Sequence, residues 1–169
     1  MRKSHQEIVS FVGLLSMLAC LLFAMLWLVS QALAATRDYR EFGDVFVYSP
    51  RTLQWQAINA AGVVVRSGRG SAGRGYCPDL HRACHTPVGT FHVVSKGGAD
   101  CRSSRYPVGH GGAPMPYCMF FSKNYAIHGS PDVPNYNASH GCIRVRPSDA
   151  HWLSHNFIKV GTTVIIRPY

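Results

Sequence analysis

The chain has 169 residues, with 17 Lys and Arg against 8 Asp and Glu and a formal charge of +9. Without its apolar N-terminal segment about 135 residues remain, close to the commonest size of a single compact domain. The basic residues are scattered from Arg37 to Arg167 with no dense run and no recognition-helix pattern, which argues against a nucleic-acid partner and for a solvated basic surface; charge alone does not choose between an anionic membrane and an anionic wall polymer.

At the N-terminus, Arg2 and Lys3 precede an uncharged stretch over residues 8–35 that ends in Gln31-Ala32-Leu33-Ala34-Ala35. The small-x-small ending predicts signal-peptidase cleavage after Ala34. Residues 8–29 are also apolar enough for an uncleaved anchor, since a span needs about 20 residues. We therefore read residues 1–35 as a signal peptide or a membrane anchor. Everything after Thr36 is expected outside the cytoplasm, in the periplasm or cell envelope, because Lys and Arg resist translocation. A membrane partner is expected only if that segment stays uncleaved.

Residues 45–48 read as a strand, 53–59 and 63–66 as two more, and the glycine- and arginine-rich stretch 67–75 as a flexible loop. It lacks the Gly-Lys-Ser/Thr ending that puts a lysine on phosphates. Further strands are predicted over 90–95, over 117–121 and 125–128 as a hairpin about Lys123-Asn124, and over 163–167. Between them, a short helix over 149–156 is predicted with Ser148 as its N-cap. Many short strands with one late helix predict a mainly β sandwich or small barrel, with the folded domain spanning 45–169 and no repeat.

Five cysteines follow the export segment: Cys77, Cys84, Cys101, Cys118 and Cys142. An odd number in a disulfide-permissive compartment leaves one thiol over. We expect Cys77 to pair with Cys84 and Cys101 with Cys118, pinning Gly- and Pro-rich stretches. The rival is zinc on Cys77, His81, Cys84 and His85, whose spacing matches no standard zinc pattern. No metal is expected.

Cys142, the cysteine left over, lies in Ser139-His140-Gly141-Cys142. A thiol attacks a carbonyl as thiolate and needs a base to lose its proton. His128, 14 residues upstream at a strand end, is placed to be that base, with the Gly129 carbonyl holding its tautomer. A sharp turn at Gly141 could converge the amides of His140, Gly141 and Cys142 into an oxyanion hole. His140 is a second candidate base, though its place two residues before the nucleophile favours a structural or substrate-facing role. Arg144 is the candidate for a substrate carboxylate, Arg146 sharing its face. Ser139, Tyr117, Met119 and Phe120 are candidate groove residues.

Ile127-His128-Gly129, Ser139-His140-Gly141-Cys142-Ile143-Arg144 and Thr86-Pro87-Val88-Gly89-Thr90-Phe91 occur in this chain. Together they resemble the L,D-transpeptidase catalytic domain family (YkuD-like). The helix at Ser148-Asp149-Ala150 and the turn and strand at Val160-Gly161-Thr162-Thr163-Val164 extend the resemblance over residues 45–167. Cys101-Arg102-Ser103-Ser104-Arg105 and Pro114-Met115-Pro116-Tyr117 are similar to the enhanced-entry-protein type within that family. The His128-to-Cys142 interval is shorter than in several relatives, which bears on the lid over the site.

The resemblance implies a predominantly β fold, Cys142 as nucleophile, His128 as base and no cofactor. It implies peptidoglycan stem peptides as partners and carbapenem-type compounds as inhibitors, in a monomer. Cys142 would attack the bond before a terminal D-alanine and pass the acyl group to an amine of another stem, a 3-3 cross-link, or of a wall-anchored protein. Water as acceptor would make a carboxypeptidase. Loss of the chemistry would leave a secreted adhesion module on the same fold.

Overall fold

A computed structural model describes residues 17–26 and 39–169 of the chain. Residues 17–26 are helical (α1) and expose Leu18, Leu21, Leu22, Phe23 and Leu26. The proposed cleavage site after Ala34 lies outside the described residues. Among the described residues, no helix is long and apolar enough to cross a membrane.

Residues 39–169 form a unit of their own. Its strands are β1 (Val45–Ser49), β2 (Gln54–Ile58), β3 (Val64–Ser71), β4 (Gly89–His92), β5 (Ser95–Lys96), β6 (Met119–Ser122), β7 (Tyr125–Gly129), β8 (Ile143–Val145) and β9 (Thr163–Ile166). They make one nine-stranded sheet in the order β4-β9-β1-β2-β3-β8-β7-β6-β5. The two end strands, β4 and β5, are separated in sequence only by Val93 and Val94. That short link curls the sheet into a half-barrel, and Phe91 of β4 meets Phe121 of β6 at 5.5 Å between ring centroids. The mainly β expectation holds, as a single curled sheet with one short helical segment late in the chain.

Side-chain alternation assigns each face. Every residue from Val45 to Tyr48 is buried, Phe46 and Tyr48 joining Trp55 in the main core and Val45 and Val47 packing with Ile58 on the other side. A strand buried on both faces suits its central place, antiparallel to β2 and parallel to β9. Fully burying a side chain such as Phe46 stabilises by roughly 1.5–3 kcal/mol.

The glycine- and arginine-rich stretch is not a loop over its first half, because β3 continues to Ser71. A Cβ on Gly68 would stand 2.9 Å from the Trp55 ring, and one on Gly70 2.8 Å from the Tyr48 ring. These glycines make room for two large core aromatics, so the composition that reads as flexible belongs to a packed strand.

The late helix α2 (Pro147–Trp152) continues as a π-helical turn over Leu153–Phe157. Ser148 is not its cap. The N-cap is Arg146, without a side-chain hydrogen bond, and Pro147 opens the first turn, where its missing N–H costs nothing. Arg66 of β3 pins α2 by a 2.8 Å ion pair to Asp149 and by lying 4.9 Å over the Trp152 ring.

Candidate active site

Three strands build the floor of the site. β7 and β8 run parallel, pairing Ile127 with Ile143 and His128 with Arg144, while β6 pairs Phe120 with Ala126. Directly paired residues share a face and successive residues alternate. Phe120, His128 and Arg144 therefore fall on one side, joined at the cavity by Ser122, beyond a bulge in β6, and by Cys142, just before β8, and Met119, Phe121, Ile127, Ile143 and Val145 go into the core. The first group lines a cavity of about 620 Å³, within the usual range for small-ligand sites.

This phase corrects the groove. Met119 is 0% exposed in the core, and of the two neighbours expected in the groove only Phe120 faces the cavity. Tyr117 instead sets its ring edge-on to His151 and His155, at 5.0 and 5.5 Å, and does not line the cavity.

The segment before Cys142 is held at several points. Asn137 accepts from the Tyr48 hydroxyl at 3.1 Å and the Ala72 N–H at 3.0 Å, and donates to the Pro50 carbonyl at 3.0 Å. Ser139 N–H donates to Ala72 at 2.9 Å, and the Ser139 carbonyl accepts from Arg74 N–H at 3.0 Å. Ser139 Oγ then bridges the turn, accepting from Gly141 N–H at 2.9 Å and donating to the Cys142 carbonyl at 2.5 Å. Ser139 is thus a buried brace of the turn as well as a cavity residue. The Gly141 amide, expected in an oxyanion hole, is spent on that hydroxyl.

Gly141 has φ +128°, and a Cβ there would stand 2.4 Å from the Tyr125 ring. Only glycine meets both demands. Thr86, buried at 1% exposure, supports the same turn: its hydroxyl donates to the Gly141 carbonyl at 2.7 Å and accepts from Gly73 N–H at 3.0 Å. Thr86→Val keeps the shape and strands both backbone groups, so we expect it to destabilise by about 2–4 kcal/mol. Urea unfolding checks this, and a loss below about 1 kcal/mol would show that the hydroxyl is not structural.

His128 is buried, and its Nδ1 lies 2.9 Å from the Gly129 carbonyl. A carbonyl can only accept, so Nδ1 carries the proton and Nε2 keeps a lone pair. Burial pushes the His128 pKa down to about 4, against the Gly129 hydrogen bond and with some help from the Arg144 charge. Burial likewise pushes the Cys142 thiol up, more than the Ala126 backbone and Arg144 pull it down. At neutral pH the resting pair is a thiol and a neutral imidazole.

His140 joins two covalent loops at the cavity. Its Nε2 meets Asp79 Oδ2 at 2.9 Å, and that hydrogen bond holds the Asp79 carboxyl below its usual range. Its ring stacks on Tyr106 at 4.4 Å. Asp79 belongs to the loop closed by Cys77–Cys84 and Tyr106 to the loop closed by Cys101–Cys118. With both cysteines of the first loop oxidised, the zinc alternative loses its thiolates, and His85 stacks on Tyr169 at 4.1 Å. Cys142 remains a free thiol. Sequence reasoning missed Asp79 and Tyr106, which lie far from His140 along the chain and carry no motif.

Arg144 lines the cavity and donates to Asp132 at 2.7 Å. Arg146 is exposed outside it.

Residues 45–166 match the family model described as the L,D-transpeptidase catalytic domain (YkuD). The chain belongs to the L,D-transpeptidase family. Among solved structures, an L,D-transpeptidase from Xylanimonas cellulosilytica is 30% identical with a TM-score of 0.65, over 73% of this chain and 60% of that one. An L,D-transpeptidase from Mycobacterium smegmatis is 21% identical with a TM-score of 0.60, over 74% and 58%. L,D-transpeptidase 3 from Mycobacterium tuberculosis, solved with a faropenem-derived adduct, is 23% identical with a TM-score of 0.59, over 75% and 60%. The chain thus spans about three fifths of the length of these L,D-transpeptidases. No curated protein matches it significantly.

Proposed function

We propose that this chain is a peptidoglycan L,D-transpeptidase working through Cys142, in a domain spanning 45–169 exported behind the signal or anchor at 1–35. One observation carries the reading: His128 on β7 and Cys142, the residue before β8, face the same cavity, with the His128 Nδ1 proton engaged by Gly129. That leaves Nε2 for the thiol proton. Two disulfides fit an oxidising compartment.

The neutral resting pair means that the proton moves as the sulfur attacks. Cys142 Sγ bonds to the carbonyl carbon of the L-centre before the terminal D-alanine, and its proton passes to His128 Nε2. The developing oxyanion is met by the amides of His140 and Cys142, since that of Gly141 is engaged. The C–N bond breaks, His128 protonates the departing amine, and a thioester remains. An amine of a second stem attacks the thioester, giving its proton to His128, and the thiolate leaves and is reprotonated. Arg144 beside His128 holds a donor carboxylate.

Muropeptide analysis tests the reaction. Purified protein with tetrapeptide-stem muropeptides is expected to yield 3-3 cross-linked dimers with release of D-alanine. Tripeptide stems alone would assign the acyl group to water and make the chain a carboxypeptidase. Unchanged muropeptides with Cys142 still a free thiol would leave a fold without the chemistry.

A further inference from the structure

The cavity is bordered by four cations and one carboxylate: Arg102, Arg105, Lys123 and Arg144 against Asp132. They come from separate parts of the fold. Arg102 and Arg105 sit in the loop stapled by Cys101–Cys118, Lys123 in the turn between β6 and β7, and Arg144 in β8. Among the described residues, Arg144 is the one of the four in an ion pair. Arg102 donates to the Gly112 carbonyl at 2.7 Å, which orients its guanidinium and leaves its charge intact. Arg105 and Lys123 are exposed.

Cations gathered around a concave opening focus their field into it, unlike the same charges spread over a convex face. Arg144 is paired in register with His128 on the cavity floor, and the other three line the same cavity.

We propose that this ring selects the acyl donor by charge, taking stem peptides whose carboxylates beside the scissile bond are free over the same peptides with those carboxylates amidated. The inference rests on the acyl-transfer reading above and adds which chemical form of the donor the site accepts. Arg144 takes the carboxylate nearest the bond, and Arg102, Arg105 and Lys123 meet one farther along the stem. Amidation keeps the shape and hydrogen-bonding size of the peptide, so it isolates charge from fit.

The experiment compares kcat/KM for a synthetic tetrapeptide stem with free carboxylates and for its amidated twin. A few exposed ionic contacts, each worth a small factor, combine to a preference of about tenfold for the free form at 0.1 M salt. Raising salt to 1 M shortens the screening length from about 10 Å to about 3 Å and shrinks the preference to about twofold. In Arg105→Gln combined with Lys123→Gln, the preference at 0.1 M is expected to fall to about threefold, since exposed substitutions leave the fold intact. Equal turnover of the two peptides, preference for the amidated one, or a preference unchanged by salt and by the double substitution would each overturn the inference while leaving the acyl-transfer reading standing. If folded protein consumes neither peptide, the acyl-transfer reading fails and this inference falls with it.

Discussion

Cys142→Ala is expected to abolish both stem-peptide turnover and covalent capture of a carbapenem. On the proposed mechanism Cys142 and His128 act as nucleophile and base, and losing the attacking atom of such a unit costs on the order of 10⁴–10⁶ in rate. Intact-mass measurement checks it without a substrate assay: wild-type protein gains one carbapenem mass and the alanine variant gains none. The choice of probe follows relatives solved with a faropenem-derived adduct and with imipenem. An adduct that survives in Cys142→Ala would falsify the assignment. The same assay reads the base. His128 must be neutral to take the thiol proton, and burial holds its pKa down to about 4. Acylation should therefore hold from pH 7 to pH 5 and halve only near pH 4. An ordinary histidine, with a pKa near 6.5, would begin to fail about two and a half units higher. A half-point near pH 6.5 would show that His128 is not the group being titrated, or is not buried when the thiol reacts.

The largest expected loss of stability comes from Gly73→Ala. A Cβ at Gly73 would stand 1.9 Å from the Cys84 carbonyl oxygen and 2.7 Å from the Thr86 nitrogen. Both obstacles are backbone, and Cys84 is bonded to Cys77, so neither can swing aside as a side chain would. Relief requires the two chain segments to part, breaking the Gly73-to-Thr86 hydrogen bond and the bond from the Tyr169 hydroxyl to the Gly73 carbonyl. We expect a loss of about 3 kcal/mol or more, a fall of roughly 10 °C in Tm. Gly75→Ala is the control, its Cβ meeting nothing closer than His85 Nε2 at 3.6 Å. Thermal and urea unfolding of the two variants should separate them clearly. A Gly73→Ala protein within 1 kcal/mol of wild type would mean that the Gly73 and Cys84 segments are not packed as described. Because Thr86 links Gly73 to Gly141, Gly73→Ala should also slow carbapenem capture.

How much of this was legible in the sequence depended on the range of the interaction. Alternation of apolar and polar residues exposed most strands, because the period of two is local. It misled at β6, where aromatic and apolar residues follow one another and the phase is decided by pairing with β7, so of the two neighbours expected in the groove Phe120 faces the cavity and Met119 goes into the core. The strand formed by the arginine-rich stretch stayed hidden, since Gly68 and Gly70 are shaped by Trp55 and Tyr48 on neighbouring strands. The parallel pairings of β1 with β9 and β7 with β8 leave no local mark, as parallel neighbours are joined by long connections. Cys142 and His128 stood out through their motifs, and the hydrogen bond from His128 to Gly129 involves adjacent residues. The partners of His140 are distant in sequence and became visible only in the fold.

The meeting of two disulfide loops at His140 bears on how the protein must be made. The Cys101–Cys118 loop contributes a wall of the cavity and the Cys77–Cys84 loop supplies the carboxylate that steadies His140. Apart from Tyr117, which packs against it, neither loop contributes to the β core that buries Phe46, Trp55 and Ile143. A chain produced in a reducing cytosol can therefore pass every test of folding that reads the sheet while its cavity is only partly assembled. Recombinant work on this protein calls for an oxidising compartment and a thiol count, in which a single titratable sulfur from residues 39–169 certifies the site before any assay is run.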